Sequence, residues 1–336
     1  MAAYRLNIPS DGGTYTAATL NAGCQLDSQI QMTPDAGFSA IVTQGHYTFD
    51  GTNIILTAST NGASSQREGY MEVIYQIGGS ECKKYIHLVQ EAPPAPKATL
   101  TLSNGTTAVV PCDGDSTLKY TDMTGVVDLS QVVSVHVESC VTKIGERAFN
   151  ANSFTSLTSI TMADSVTEIG ESVHETSYGS TILKTITFSS NLVSIGDGAF
   201  WGCGKLTSIN LLNGLQTIGN DSFRNCSGLT TVVLPDSVKS IGDQCFYDCK
   251  NITTFTFGTG FTGVTSFGQS LQGTDALTRV TCKAVNPPVI DDFMFCSGPI
   301  TQQCYDKVRI YVPRNSVSAY EQANGWSSYY IDNDGF

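Results

Sequence analysis

The chain has 336 residues, of which 40% are hydrophobic and 14% charged, and its 18 basic and 30 acidic side chains leave a net charge of −12. Ordinary soluble domains carry about 25% charged residues, so this surface must be kept polar by Thr, Ser, Gly and Asn. The charge divides into −3 over residues 1–97 (5 basic, 8 acidic) and −9 over residues 98–336 (13 basic, 22 acidic), which excludes the basic field that a nucleic-acid backbone demands; no stretch has the roughly 18 apolar residues of a membrane span.

The length suggests two domains. Met1 to Ser10 holds one Arg and no apolar core of the kind an export signal has, so the expectation is a chain that reaches its place of work without one, or one whose signal has been removed. Seven short strands are then predicted between Gly-, Asn- and Pro-rich turns: Tyr4–Ile8, Thr14–Leu20, Gln29–Thr33, Phe38–Gln44, Asn53–Ala58, Tyr70–Ile77 and Tyr85–Gln90. They predict a small β-sandwich over residues 1–92. Within it, Arg67-Glu68-Gly69-Tyr70-Met71-Glu72-Val73 and the closing Tyr85-Ile86-His87-Leu88-Val89-Gln90 resemble immunoglobulin-like BACON modules, common in Bacteroidales proteins and their phages. That resemblance implies an immunoglobulin-like fold, serving as a spacer or a binding domain.

Residues 93–97, Pro-Pro-Ala-Pro-Lys, read as a semi-rigid linker. Residues 98–130 lack the repeat that follows and are expected to cap it, with Val109, Val110 and Leu118 pointing inward.

Over residues 131–306 an Ile-Gly pair recurs with a bulky residue five positions after the Ile. The pairs are Ile144-Gly145 to Phe149, Ile169-Gly170 to His174, Ile195-Gly196 to Phe200, Ile218-Gly219 to Phe223, and Ile241-Gly242 to Phe246. Nine residues before each Ile stands Val135, Ile160, Ile186, Ile209 or Val232, within segments such as Leu206–Leu211 that alternate like strands. A repeat of 23 to 26 residues with one short strand predicts a leucine-rich solenoid of about seven to eight coils, mainly β with short helical turns, in which stacking supplies the core. The run from Leu229 to Cys249, with Leu234-Pro235-Asp236-Ser237-Val238 leading into Ile241-Gly242-Asp243 and Phe246, resembles the BspA-type leucine-rich repeat family.

The eleven cysteines follow the coil. Cys203, Cys226 and Cys249 each lie eight residues after the coil Ile, a slot suited to a buried free thiol. Metal binding by Cys245 and Cys249 lacks a second ligand pair, and disulfides among Cys282, Cys296 and Cys304 stay open. His46, His87, His136 and His174 are scattered, with no nucleophile or carboxylate at catalytic spacing; His174, in a Phe slot, reads as a structural exception. Asp113/Asp115, Asp291/Asp292 and Asp332/Asp334 read as solvated turns. No enzyme, metal or cofactor is expected.

Function must then lie on surfaces. The outward column of the strand face reads His136, Thr161, Thr187, Asn210, Val233, Thr256 and Thr281, short side chains without aromatic or Arg anchors, suited at most to a flat contact with a neighbouring copy. The residues after the bulky plug read Asn150, Glu175, Trp201, Arg224 and Tyr247. Equivalent positions in adjacent coils sit about 5 Å apart, so Trp201, Arg224 and Tyr247 are predicted to stack as an aromatic–Arg–aromatic site for a sugar ring or a protein, with the guanidinium held over the rings. Residues 307–336 read as a C-terminal cap in which Trp326, Tyr329 and Tyr330 cover the last coil.

The family resemblance implies surface recognition: such proteins are mostly displayed outside cells and attach to host components, other bacteria or matrix. Combined with the start of the chain, it leads to the expectation of a phage virion component, a fibre or decoration contacting a Bacteroidales-type host and other virion proteins. The alternative is a cell-surface adhesin, extracellular, with its export signal removed. An accessory to a carbohydrate-active enzyme is the third class. Partners are a protein or glycan on a bacterial or host surface.

Overall fold

The computed structural model divides into two units, Met1–Pro94 and Ala95–Phe336. It describes the strands of the first unit and, from residue 96 on, residues 96–173, 182–264, 269–290, 294–295 and 302–333.

In the first unit, Arg67–Ile77 and Ser80–Gln90 pair antiparallel over their whole length, from Arg67↔Gln90 to Ile77↔Ser80. Tyr4–Ile8 adds in parallel on one side and Ile30–Pro34 antiparallel on the other, making a four-stranded sheet. Gly13–Thr19, Asn53–Ala58 and Tyr47–Phe49 form a second, three-stranded sheet. The predicted strand Phe38–Gln44 falls outside the described residues. The two longest strands are extended further by Arg67-Glu68-Gly69 and Ser80 to Lys84, because once two strands are in register the ladder bonds favour polar residues that a hydrophobic pattern alone does not mark.

The second unit is a solenoid of about eight turns. Seven two-residue strands, five ending on the ladder Ile and the outer two on Leu118 and Val264, stack in parallel as one sheet: Thr117–Leu118, Lys143–Ile144, Glu168–Ile169, Ser194–Ile195, Thr217–Ile218, Ser240–Ile241 and Gly263–Val264. The following glycine explains its own recurrence. Its amide donates to the preceding coil, as in Gly196 N to Ile169 O at 2.8 Å, Gly219 N to Ile195 O at 2.9 Å and Gly242 N to Ile218 O at 2.8 Å. A Cβ at Gly196 would lie 2.6 Å from the carbonyl carbon of Gly170, and one at Gly242 would lie 2.4 Å from Asn220 N. Glycine is needed here for the close approach of two backbones.

The longer strands form two parallel stacks. One holds Val132–Val137, Ser159–Met162 and Thr185–Thr187, with the hairpin Pro96–Leu102/Thr107–Pro111 closing its open end antiparallel. The other holds Thr231–Val233, Thr254–Phe257, Arg279–Cys282, Arg309–Val312 and Tyr330–Asn333. Between them, residues 207–211 keep the predicted burial alternation, with Ile209 and Leu211 inward, but form no strand. Packing of Ile209 and Leu211 places that segment, while its coil is tied to both neighbours through Thr217–Ile218.

Inside, Phe149, Phe200, Phe223 and Phe246 are fully buried, and Phe200, Phe223 and Phe246 stack at 5.5 and 5.4 Å between centroids. Such aromatic pairs contribute about 0.5–1.5 kcal/mol beyond area burial. The thiols of Cys226 and Cys249 donate to the carbonyls of Phe200 and Phe223, at 3.3 and 3.1 Å. At these two coils the cysteine slot thus ties one coil to the one before it, through thiols that form no disulfide. Cys282 is also free and buried; Cys296 and the side chain of Cys304 lie outside the described residues.

At the N-terminal end Val110 and Leu118 are buried as expected, but Val109 is 54% exposed. Adjacent strand residues face opposite sides, so Val109 and Val110 cannot both point inward. Lys97 is buried beside Asp113 and Asp122, at 2.8 and 2.9 Å. Burial pulls its pKa down, but the hydrogen bonds and charges of the two carboxylates outweigh this and raise it. At the other end Trp326 and Tyr320 are fully buried. Trp326 Nε1 donates to Pro288 O at 2.8 Å, and Tyr320 Oη to Ala284 O at 2.8 Å. Tyr329 packs on Phe295 and Tyr305. Tyr330, expected to cover the last coil, is instead 55% exposed, because it starts a further strand of the sheet, where its neighbour Tyr329 has already taken the inward place.

Candidate functional site

The turn after each Ile-Gly pair presents the candidate residues, and its backbone holds them in register. The third residue after the ladder Ile adopts a left-handed conformation in five coils: Arg147, Ser172, Gly198, Asp221 and Gln244, with φ of 53°, 48°, 59°, 53° and 49°. Gly202, Asn225 and Asp248 repeat this four residues later. The left-handed residues direct alternate amides at the next coil: Gly198 N meets Asn220 O at 2.7 Å, Phe200 N meets Ser222 O at 2.8 Å, and Gly202 N meets Arg224 O at 2.8 Å. One coil on, Asn225 N bonds Tyr247 O at 2.8 Å. A third backbone ladder thus runs under the plug residues, which the bare repeat does not reveal.

On that ladder the three predicted residues come together. The Arg224 guanidinium carbon lies 5.1 Å from the Trp201 ring centroid and 4.6 Å from that of Tyr247. All three side chains are half-buried. Arg224 Nη1 donates to Asp221 Oδ1 at 2.9 Å and also to Gln244 Oε1, both carried by the left-handed positions. Arg224 Nε is shielded from solvent and has no acceptor among the described residues. The arginine is thus fixed by two rings, a carboxylate and an amide, leaving the outward ring edges as a rigid polar–aromatic strip. Asn150, in the same column, accepts from Asn152 N; Glu175 and His174 lie outside the described residues.

Along the Ile-Gly ladder the missing side chains leave a trench of about 550 Å³ walled by Glu146, Glu171, Asp197 and Asn220 on one side and Lys143, Glu168 and Ser194 on the other. Its acids are largely engaged with each other's coils: Asp197 accepts from Asn220 N at 2.7 Å and from Asn220 Nδ2 at 3.1 Å, and Asn220 Oδ1 accepts from Asp243 N at 2.8 Å. Lys143 pairs with Glu168. The trench wall is thus mainly a side-chain ladder holding coils together.

Six copies of the BspA type Leucine rich repeat region match residues 127–178 and 172–297, just over half the chain. The chain belongs to the BspA-type leucine-rich repeat family. Similar solved structures include a leucine-rich repeat protein of T. pallidum at 29% identity, covering 44% of this chain and 68% of that one, with a TM-score of 0.40. A leucine rich cell surface protein of Faecalibacterium prausnitzii is 16% identical over 72% of this chain and 96% of that one, with a TM-score of 0.37. A leucine-rich repeat protein of Bacteroides ovatus is 17% identical over 70% and 86%, with a TM-score of 0.30. No curated protein matches.

The remaining candidates of this BspA-type chain fall into structural roles. Cys245 and Cys249 are buried, and burial drives both thiols well above their ordinary pKa; no group of three His, Cys, Asp or Glu among the described residues could hold a metal. Asp113 and Asp115 lie in an exposed turn and pair with Lys97 and Lys119. The Lys119 ammonium and the Thr117 amide bring Asp115 down to about 2. His136 is exposed on the strand face, its Nδ1 2.7 Å from Thr161 Oγ1. Thr281, expected outward, is 7% exposed, because its column continues into the larger Tyr311. The strand face is therefore not free of aromatic and Arg residues: its C-terminal strands add Arg279, Arg309, Tyr311 and Tyr330.

Proposed function

We propose that the chain is a surface-displayed, non-catalytic recognition protein that attaches through the Trp201–Arg224–Tyr247 strip. The observation that carries this reading is the register of the strip, with the guanidinium 5.1 and 4.6 Å from two ring centroids and its backbone pinned from coil to coil. A strip fixed before binding loses little conformational entropy on contact, and Trp, Tyr and Arg are the side chains that most often dominate contact energies. Membership of the BspA-type family supports recognition, since its members are typically surface proteins and adhesins. The partner in this reading is a protein or glycan on a bacterial or host surface.

The test is cell labelling by the fluorescent full-length chain across a panel of Bacteroidales and other bacterial cells, with Trp201→Ala and Tyr247→Ala as variants. Labelling that falls about tenfold in both variants, the loss of roughly 1.4 kcal/mol, is the expected result; labelling that both variants retain sinks the assignment of the strip. Display on a phage particle and display on a cell envelope are two settings for the same function. Finding the chain in purified virions, by mass spectrometry of virion and envelope fractions from the source, supports the former; finding it only in the envelope supports the latter.

A further inference from the structure

Two cysteines stand outside the buried slot. Cys203, Cys226, Cys245, Cys249 and Cys282 are buried in the stack, whereas Cys112 and Cys140 are only partly covered and form no disulfide in this structure. They lie 28 residues apart, off the period of 23 to 26, and the cap hairpin brings them together. Pro111, the last residue of its outer strand, is the register partner of Pro96, the first residue of the inner one, so Cys112 leaves the sheet beside Pro96. On the other flank of the inner strand Val137 pairs with Ala98. Glu138 N then donates to Lys97 O at 2.9 Å, and Val141 N closes a turn on Glu138 O at 3.1 Å. That turn carries Cys140 over the start of the inner strand, where its thiol donates to Pro96 O at 3.3 Å. There the two cysteines meet: the Cys112 side chain acts on that of Cys140 by hydrogen bonding and by charge. Thiols in contact need their α-carbons close, which is the condition a disulfide imposes. The Lys97 ammonium, buried beside Asp113 and Asp122, favours the Cys140 thiolate, the form that thiol–disulfide exchange requires.

We propose that Cys112 and Cys140 form a disulfide when the chain meets an oxidising medium, stapling the N-terminal cap to the first coil. The oxidant is a low-molecular-weight disulfide, RS–SR, of the glutathione class. The Cys112 thiolate attacks one of its sulfurs and displaces RS−, which takes up through water the proton that Cys112 gave up. The Cys140 thiolate then attacks the Cys112 sulfur and displaces the second RS−, which is protonated in the same way. Two protein thiols are thereby oxidised, and one small disulfide is reduced to two thiols. The order follows from the pair itself. Once Cys112 is held in the mixed disulfide it carries no charge, so one cause that holds the Cys140 thiol up is gone, while Lys97 still draws its thiolate. The staple sits at the open end of the stack, where the hairpin Pro96–Leu102/Thr107–Pro111 covers the first long strand. The end coils of a solenoid have a neighbour on one side only, so fraying starts there. Such a bond persists outside a reducing cytoplasm, which ties the strength of the cap to the compartment. It does not depend on the Trp201 strip.

The test incubates the full-length chain with oxidised glutathione, blocks the remaining thiols with N-ethylmaleimide, and maps tryptic peptides by mass spectrometry without reduction. Trypsin separates the two cysteines at Lys119, so the bond appears as a linked pair of peptides joining Cys112 to Cys140. That pair, released by dithiothreitol, is the expected result. Oxidation should also raise the melting temperature by about 5 °C or more, a rise that Cys112→Ser and Cys140→Ser should both lose, each keeping glutathione on its single remaining thiol of the pair. The mapping uses the unaltered chain and so stands whether or not a variant folds. The proposal is overturned if both cysteines stay open to N-ethylmaleimide after oxidation, if either keeps glutathione in the unaltered chain, or if either is linked to a different cysteine. A melting temperature that oxidation leaves unchanged overturns it as well.

Discussion

Replacing Gly242 by Ala is the most direct test of how the coils are held together. The new Cβ would sit 2.4 Å from Asn220 N and 2.5 Å from the carbonyl carbon of Gly219, where ordinary contact begins at 3.4 Å. The coil bearing Asn220 must therefore retreat by about 1 Å. That stretches the 2.8 Å bond from Gly242 N to Ile218 O and the 2.8 Å bond from Asp243 N to Asn220 Oδ1. It also spreads the Phe223–Phe246 stack, now at 5.4 Å. Overpacking of this kind costs about 1–3 kcal/mol and each weakened hydrogen bond up to about 1 kcal/mol. The stiffer unfolded chain of the alanine variant offsets only about 0.4–1 kcal/mol. The net expectation is a loss of about 2–4 kcal/mol, read in urea unfolding by circular dichroism and tryptophan fluorescence. Since coils couple only to their neighbours, the signals of Trp201 and Trp326, on opposite sides of the junction, should also separate. Gly145→Ala is the internal control: its nearest contact is Leu118 O at 3.0 Å, so steric cost and chain entropy nearly cancel. A Gly242→Ala variant as stable as wild type, or no less stable than Gly145→Ala, refutes the argument that backbone approach selects these glycines.

The aromatic spine and the thiols carry further expectations. Phe223→Ala removes a fully buried ring from between Phe200 and Phe246 and should cost about 3–5 kcal/mol in the same unfolding assay; a loss under about 1 kcal/mol would mean that the spine collapses around the gap. Iodoacetamide labelling of the native chain, read by mass spectrometry, should spare Cys226, Cys245 and Cys249, whose thiols burial raises, since only thiolates react; rapid modification of any of them in the folded chain contradicts their placement. Cys140 is pushed to about 11 by burial and by the neighbouring Cys112 thiol. Its folded-state value lies above the ordinary 9.0, so its contribution to stability is present below pH 9 and lost as the pH rises through about 11. Labelling of Cys140 should accelerate over that window, and a plateau reached by pH 8 would contradict the shift.

The sequence alone determined the repeat, the inward residues and the strip, for one physical reason. Each coil repeats the same contacts, so residues at equal offsets from an Ile-Gly pair must stack, and Trp201, Arg224 and Tyr247 share an offset. The same logic located the Phe spine and the thiol slot. It stopped where the period stopped. Arg279 and Arg309 are register partners 30 residues apart, outside the spacing of 23 to 26, so their juxtaposition with Tyr330 exists only in the folded sheet. Val109 and Tyr330 turned outward because the strand pleat gave the inward place to their neighbours, a choice set by register. Nor does hydrophobic pattern show why the ladder residue after Ile is glycine, or that the turn beneath the strip uses left-handed backbone at Asp221 and Gln244. Those follow from the distance between coils and from the partners that each backbone amide finds across the stack, which only the tertiary structure decides.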